Sequence, residues 1–489
     1  MTGGSADAAP VERLHPLILL TGLGSSIRGV VGGYAGIGYL AATGRWQTAL
    51  IAGVVLLVAL FISLLLYWQR FSFRVGSDEI RIDSGIINRT HRSIPFDRVQ
   101  DVDITQGPVA RLLGIAKVKF ETGGSAAAKG EDGVLPAITL ARAEALRDQV
   151  RSRRGTAPAI LVDGEDAAPP IFGMDLRRVL TAGVFNFSLA VLAALFGASQ
   201  TFGDVAGFDP LSRRFWGQAL DPDSVIASYV LAHQVAATVA GLAVLVTIGL
   251  FTGIARTLAR EFRFRLDRSG TGLRRRRGLF TLTDVTLPLR RVQAALIGTG
   301  PIRNRFGWRE LKLQSLAADE GGKGDHVVAP LARDDEVASI LAELDWSVPG
   351  DRWECVSRAY VWGYLLALSP FALAAAVAAI IQPLAGLAGL ALLAITAAAR
   401  WLSWHHTGFA LENGRLLIRS GWWKRRTVLL PIANVQSVDL TENAVGRRFG
   451  ISALVIGVAG GGGFSGHGVP ALPRERARSL RTELLTRFA

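Results

Sequence analysis

The sequence predicts an α-helical membrane protein. Six transmembrane helices fall in three pairs, and each pair is followed by a cytoplasmic α+β unit, a small antiparallel sheet or barrel with a C-terminal helix. Three observations predict it. Half of the 489 residues are apolar and 19% are charged, and mean hydropathy is +0.32, which suits neither a disordered chain nor a purely soluble enzyme. Apolar runs long enough to span a bilayer come in closely spaced pairs. After the second, fourth and sixth runs, one polar segment is written three times.

A spanning helix takes about 20 mostly apolar residues. The first candidate lies between Leu17 and Ala42. It holds Arg28, which is costly at mid-bilayer, so Leu14 to Gly24 is expected at the interface and the span nearer Gly29 to Trp46. The second, Leu50 to Trp68, carries no charge. The third runs from Val179 to Phe202 and the fourth from Val225 to Ile254. The fifth runs from Ala359 to Ile381 and the sixth from Leu384 to Leu402. Trp46, Trp68, Trp216, Trp362, Trp401 and Trp404 stand near proposed ends, where amphipathic rings prefer to lie. The connections within the pairs, 43–47, 203–224 and 382–383, hold only Arg45, Arg213 and Arg214 as basic residues. The positive-inside rule therefore expects both termini and all large polar segments in the cytoplasm of a multi-pass cell-membrane protein. Met1 to Pro10 lacks the basic start and apolar core of a cleaved signal peptide.

The repeated segment aligns without gaps over its centre. Gly85, Gly278 and Gly421 correspond, as do Pro95, Pro288 and Pro431 and the pairs Val99-Gln100, Val292-Gln293 and Val435-Gln436. Arg111-Leu112, Arg305-Phe306 and Arg448-Phe449 precede Gly114, Gly307 and Gly450, and each Pro stands 19 residues before its Gly. Ile80-Arg81-Ile82-Asp83 alternates as a half-buried strand does. The repeated Gly reads as a hairpin turn residue, and the Pro as a strand end or bulge, since it cannot donate to a ladder. Val99 to Ile104 gives another strand, and Val118 to Glu121, Glu310 to Gln314 and Leu454 to Val458 the next. Ala141 to Arg151, Arg333 to Leu344 and Arg474 to Leu485 are the closing helices; the last carries an apolar face at Ala477, Leu480, Leu484 and Leu485. The units are thus expected at 69–155, 256–347 and 405–489, with helix pairs in 1–68, 179–255 and 359–404 and linkers at 156–178 and 348–358.

These segments resemble the bacterial pleckstrin-homology-like (PH-like) domain of the YdbS/YdbT-like membrane proteins. The carrying residues are Ser84-Gly85 and Ser420-Gly421, the Pro-x-x-x-Val-Gln stretch, the Arg-(Leu/Phe) ending before Gly, and His15-Pro16 ahead of the first helix. The resemblance covers nearly the whole chain and implies the PH-like fold, a cytoplasmic membrane and no known catalysis. The middle copy departs most, with Arg277 where the others have Ser and a first strand that is hard to place.

The formal net charge is +14, and only six of the 54 basic residues are lysine. In an apolar protein this excess points to anionic phospholipid headgroups before nucleic acid. Arg256, Arg260, Arg263, Arg265 and Arg268, then Arg274, Arg275, Arg276 and Arg277, leave the fourth helix as a basic run. Positive-inside anchoring is the plain reading, headgroup binding the sharper one. Trp422, Trp423, Lys424, Arg425 and Arg426 form the most pointed candidate, a hairpin tip able to insert rings and pair cations with phosphates. Ile86-Ile87-Asn88-Arg89 and Leu279-Phe280-Thr281 are the corresponding tips, and packing of these apolar pairs in each core is the competing reading. The single cysteine, Cys355, excludes an internal disulfide, and the seven histidines include no HExxH pair, so neither metal nor cofactor is expected. Gly460 to Gly463 lacks the Lys and the immediate helix of a phosphate loop and reads as a flexible hairpin loop. No catalytic constellation and no nucleic-acid pattern stands out. The expected function is a non-enzymatic scaffold or lipid-contacting module, with another membrane protein of the same family as a further candidate partner. The alternative is a transporter or export component using the helix bundle, His233 and Asn186.

Overall fold

The computed structural model describes residues 10–21, 37, 40, 43–85, 90–97, 99–122, 133–153, 169–187, 232–270, 272–315, 324–459 and 465–486. Four described helices are long and apolar enough to cross a membrane: α1 (Trp46–Arg70), α5 (Gln234–Glu261), α8 (Ala359–Ile381) and α9 (Pro383–His405). Most of the first and third expected spans and the start of the fourth lie outside the described residues. The fourth runs seven residues past its expected end, to Glu261.

The first unit is built from β1 (Glu12–Arg13), β2 (Ser72–Val75), β3 (Glu79–Ser84) and β4 (Thr90–Pro95), then β5 (Val99–Gln106), the short helix α2 (Pro108–Leu112), β6 (Ile115–Thr122), β7 (Val134–Thr139) and the closing helix α3 (Leu140–Arg153). The second has β8 (Phe172–Gly173), the helix α4 (Leu176–Phe185), then α5, β9 (Arg265–Ser269), β10 (Gly272–Arg277), β11 (Leu282–Pro288), β12 (Val292–Thr299), α6 (Pro301–Arg305), β13 (Arg309–Ser315), β14 (Asp325–Ala332) and α7 (Asp334–Ala342). The third has β15 (Glu354–Cys355), then α8 and α9, β16 (Gly408–Glu412), β17 (Arg415–Ser420), β18 (Arg425–Pro431), β19 (Val435–Thr441), α10 (Ala444–Phe449), β20 (Ile451–Val458), β21 (Ser465–Pro473) and α11 (Arg474–Thr486). The three prolines end equivalent strands, and their partners Glu79, Gly272 and Arg415 are equivalent too.

Two features were not expected. Three stretches each give a two-residue strand, β1, β8 or β15, that pairs with β2, β9 or β16, the first strand after α1, α5 or α9. The chain before and after each intervening helical region is thereby fixed to one sheet. Leu14 and Ile18, expected at the bilayer interface, are instead buried in the first unit's core with Phe73, Ile80 and Phe120.

The second feature is that sheets cross unit boundaries. The strand order is β1-β2-β3-β4, then β7-β6-β5-β11-β10-β9-β8, then β14-β13-β12-β18-β17-β16-β15, then β19-β20-β21. The back half of each unit is continued edge to edge by the front half of the next. One core cluster accordingly joins Leu311 and Leu313 of the second unit to Leu417 and Leu429 of the third.

The departure of the middle copy has a physical explanation. In the outer units the indole Nε1 of Trp68 donates to the Leu14 carbonyl, and that of Trp404 to the Val356 carbonyl, each over 2.9 Å. Glu261 stands at that position in the middle unit, and Arg277 stands where the outer units have Ser84 and Ser420. The two meet: Arg277 Nη1 lies 2.9 Å from Glu261 Oε1, with side chains 1% and 8% exposed. A buried ion pair thus replaces an indole–carbonyl bond.

Candidate functional site

Strand direction decides which parts of a unit lie beside the apolar helices. β16 starts three residues after α9 ends and runs away from it; β17 returns, with Arg419 opposite Gly408. The β17–β18 hairpin tip therefore lies level with the end of α9. The same register, Ser72 opposite Asp83 and Arg265 opposite Arg276, does this in the other units. In the second unit the tip bonds the helix end directly: the Gly278 amide donates to the Phe262 carbonyl over 2.9 Å and the Leu279 amide to the Ala259 carbonyl over 3.0 Å. Gly278 and Gly421 adopt φ of 119° and 81°. A Cβ there would collide with the Thr281 or Lys424 carbonyl, so glycine is what lets the chain turn tightly at the tip.

The strands after the prolines return to the same end. Thr299 closes β12 opposite Arg425, the first residue of β18. The short helices α2 and α6 consequently lie beside the tips of the units that follow them, and α10, after β19, packs against α8. Arg111 on α2 donates to the Leu279 carbonyl over 3.0 Å, and Gly300 before α6 lies against the Trp423 carbonyl. This surface exposes large apolar side chains: Leu112 is 89% exposed, Phe306 60%, Phe280 59% and Trp423 57%, with Val109, Ile302 and Phe449 also exposed. Arg111, Arg305, Arg447 and Arg448 are exposed among them. Trp422 stacks edge-on against Trp423, ring centroids 5.4 Å apart, and is half-buried. Lys424 and Arg426 are exposed, Arg425 half-buried. The tip residues 86–89 of the first unit lie outside the described residues.

Sequence reasoning marked the Arg-Leu-x-Gly or Arg-Phe-Gly element as a repeat signature and missed it as a surface. The available signal was a large apolar residue beside Arg before a glycine, the three glycines taking φ of 67°, 71° and 64° as the short helices end. The basic run, by contrast, is not a free cluster. Arg274 and Arg276 bond Asp284 at 2.5 and 3.4 Å. Arg275 is buried and donates to the Val327 carbonyl, and Arg277 takes Glu261. All four belong to β10, the strand that was hard to place.

Asn186, a candidate pathway residue, ends α4 and bonds Thr257 of α5 at 3.0 Å and Arg303 of α6 at 2.8 Å. These bonds dock α6 on α4 and α5. His233 precedes α5 at the far end from the units. Among the described residues no group of acids, histidines and cysteine could hold a metal ion.

Apolar spanning helices joined to repeated, helix-closed sheet units define an integral membrane protein of tandem PH-like units. The bacterial PH domain family model matches residues 20–154, 224–345 and 365–488, and the chain belongs to that family. It is 27% identical over 297 residues to the UPF0699 transmembrane protein YdbT of Bacillus subtilis (strain 168), covering 58% of this chain and 56% of that protein. It is 32% identical over 108 residues to the UPF0699 transmembrane protein YdbS of the same strain, covering 22% of this chain and 64% of that protein. The matches thus span less than two thirds of either relative. No solved structure matches the chain.

Proposed function

We propose that this protein is a non-enzymatic, multi-pass cell-membrane scaffold whose PH-like units rest on the anionic cytoplasmic leaflet, with both termini in the cytoplasm. The observation that carries the reading is the shared placement of exposed Leu112, Phe280, Phe306 and Trp423 beside exposed arginines, at the end where the spanning helices leave the units. In water such side chains are unfavourably placed; sinking one into the lipid interface gains roughly 1–2 kcal/mol. Each nearby cation adds about 1 kcal/mol against an anionic surface, and salt weakens that part. The tip Trp422, Trp423, Lys424, Arg425 and Arg426 is the strongest single element, whereas Arg274, Arg275 and Arg277 serve the fold.

The test uses the full chain in nanodiscs, because the third unit's β18 depends on β12 of the second. Nitroxide labels at Leu112, Phe306 and Trp423 are expected to report interfacial depth by oxygen and nickel accessibility. K424S/R425S/R426S is expected to lower the depth at Trp423 in phosphatidylglycerol discs and leave phosphatidylcholine discs unchanged. Labels as water-accessible as one on α11 would remove the lipid-contact reading and leave the protein scaffold.

A further inference from the structure

Among the strands that end a sheet in the described residues, β4 of the first unit and β19 of the third are the two whose counterparts in the other units are paired on that edge. We propose that these edges join, so that β19 of one copy adds to β4 of a second copy and the chain assembles head to tail. The occupant is a second copy of this chain because the contact already exists twice inside it.

Each internal junction joins the equivalent of β19 to the equivalent of β4. In the first, β5 pairs β11 through Gln106 opposite Leu282, Thr105 opposite Thr283 and Ile104 opposite Asp284. In the second, β12 pairs β18 through Thr299 opposite Arg425, Gly298 opposite Arg426 and Ile297 opposite Thr427. Aligned on the three prolines, these are the same positions, so both junctions use one register. Carried to the free edges, that register sets Thr441 opposite Thr90, Leu440 opposite His91, Asp439 opposite Arg92 and Val438 opposite Ser93. Asp439 and Arg92 then face each other with opposite charge, a favourable cross-strand pair.

Burial follows the same logic. Thr283, Val285 and Thr286 of β11 are buried, and so are Val428, Leu429 and Leu430 of β18, whereas Thr90, His91 and Ser93 of β4 are exposed. Val292 to Leu296 of β12 are buried, while Gln436, Asp439 and Thr441 of β19 are exposed. Charge on a sheet edge commonly serves to repel other strands. It does not do so here: β18 opens with Arg425-Arg426 and is nevertheless paired along its length by β12. Since a tail edge meets a head edge, the contact is heterologous, and each copy keeps one edge for the next, giving a ring or an open row.

The experiment is disulfide trapping of the full chain in native membranes, in a C355S background. Residues directly opposite in an antiparallel pair lie about 4.5–5.5 Å apart at Cα, within disulfide reach. Co-expressed H91C and L440C chains are expected to give a cross-linked dimer that neither gives alone, and a chain carrying both a ladder of higher species. I297C with T427C in one chain occupies the same positions in the second junction and calibrates the oxidation. D439R is expected to lower the yield several-fold through like charges face to face, and R92D in the other chain to restore it. Absence of the H91C–L440C product while the internal control closes would overturn the proposal. A self-linked H91C dimer formed as readily would overturn it too, since it reports a symmetric contact. Neither outcome bears on the depth of the tips in the bilayer.

Discussion

The two internal junctions share a backbone register and are held by different chemistry. At the first, three residue pairs join β5 to β11, and an ion cluster closes over them. Arg147, reaching from α3 with its side chain 6% exposed, lies 2.9 Å from Asp284, which also takes Arg274 and Arg276. Burial opposes the charge on Asp284, yet the hydrogen bond from Arg274 and the charges of Arg147, Arg274 and Arg276 hold its carboxyl far below the usual range. At the second, five pairs join β12 to β18, and two neutral side chains, His467 and Asn434, bond across it. His467 Nε2 lies 2.9 Å from Gln314 Oε1, and the Asn434 amide donates to the Val292 and Gln293 carbonyls over 3.3 and 3.2 Å. The lesson is that apolar length and a buried ion cluster are interchangeable ways of closing the same ladder. They fail differently, because a buried ion cluster tolerates the loss of a member poorly.

The largest expected effect separates the junctions on that ground. Asp284→Asn leaves Arg147 as an uncompensated buried cation and is expected to cost about 3–5 kcal/mol. Gln314→Ala at the second junction removes one neutral partner and is expected to cost about 1–3 kcal/mol. Denaturant unfolding in detergent micelles compares them. Equal losses would mean that the ion cluster contributes no more than the neutral bond.

Acid should act in the opposite order. Burial first, then the charge of Arg426, lowers the His467 pKa to about 4, against a smaller opposing pull from Asp325. An unfolded histidine titrates near 6.5. Between these values the unfolded chain binds the extra proton, so stability is present above about pH 6.5 and falls as pH drops toward 4. The shift corresponds to roughly 3 kcal/mol. Asp284 has a lowered folded pKa, so its contribution persists above the unfolded carboxylate value near 3.9 and is lost only in stronger acid. Hydrogen exchange from pH 7 to 4.5 is therefore expected to loosen β12 and β18 before β5 and β11, and H467Q to flatten the difference. Loosening of the first junction first would reverse the assignment.

Much of this architecture was legible in the sequence. The prolines at 95, 288 and 431 fixed equivalent strand ends because proline stops a ladder at a defined place, and the closing helices lie within a few residues of expectation. The continuous sheets were not legible. A repeat reads as an autonomous unit, and nothing in Val99–Gln106 or Leu282–Pro288 alone says that the two strands share an edge. β1, β8 and β15 are two residues long, too short for any periodicity. β10 was hidden because Arg274 to Arg277 look like a solvated run, although Arg275 and Arg277 are buried with their charges satisfied. For Arg277 the sequence did hold a signal. It departs from serine in the same copy in which Glu261 departs from tryptophan, and two departures of opposite charge mark a contact.

That paired departure sets the smallest expected effect. E261W with R277S converts the middle unit to the outer pattern, in which the new indole can donate to the Met174 carbonyl, the counterpart of those of Leu14 and Val356. R277S alone strands the Glu261 carboxylate in a site where its side chain is 8% exposed, and E261W alone strands Arg277, so each should cost about 3–5 kcal/mol. Replacing a whole buried ion pair by well-packed groups is often close to neutral, so the double change should stay within about 1 kcal/mol of the parent. A double-mutant cycle on unfolding in micelles reads the coupling directly. If the double variant is as damaged as either single one, the two patterns are not alternatives, and the middle unit differs from its neighbours in more than one swapped contact.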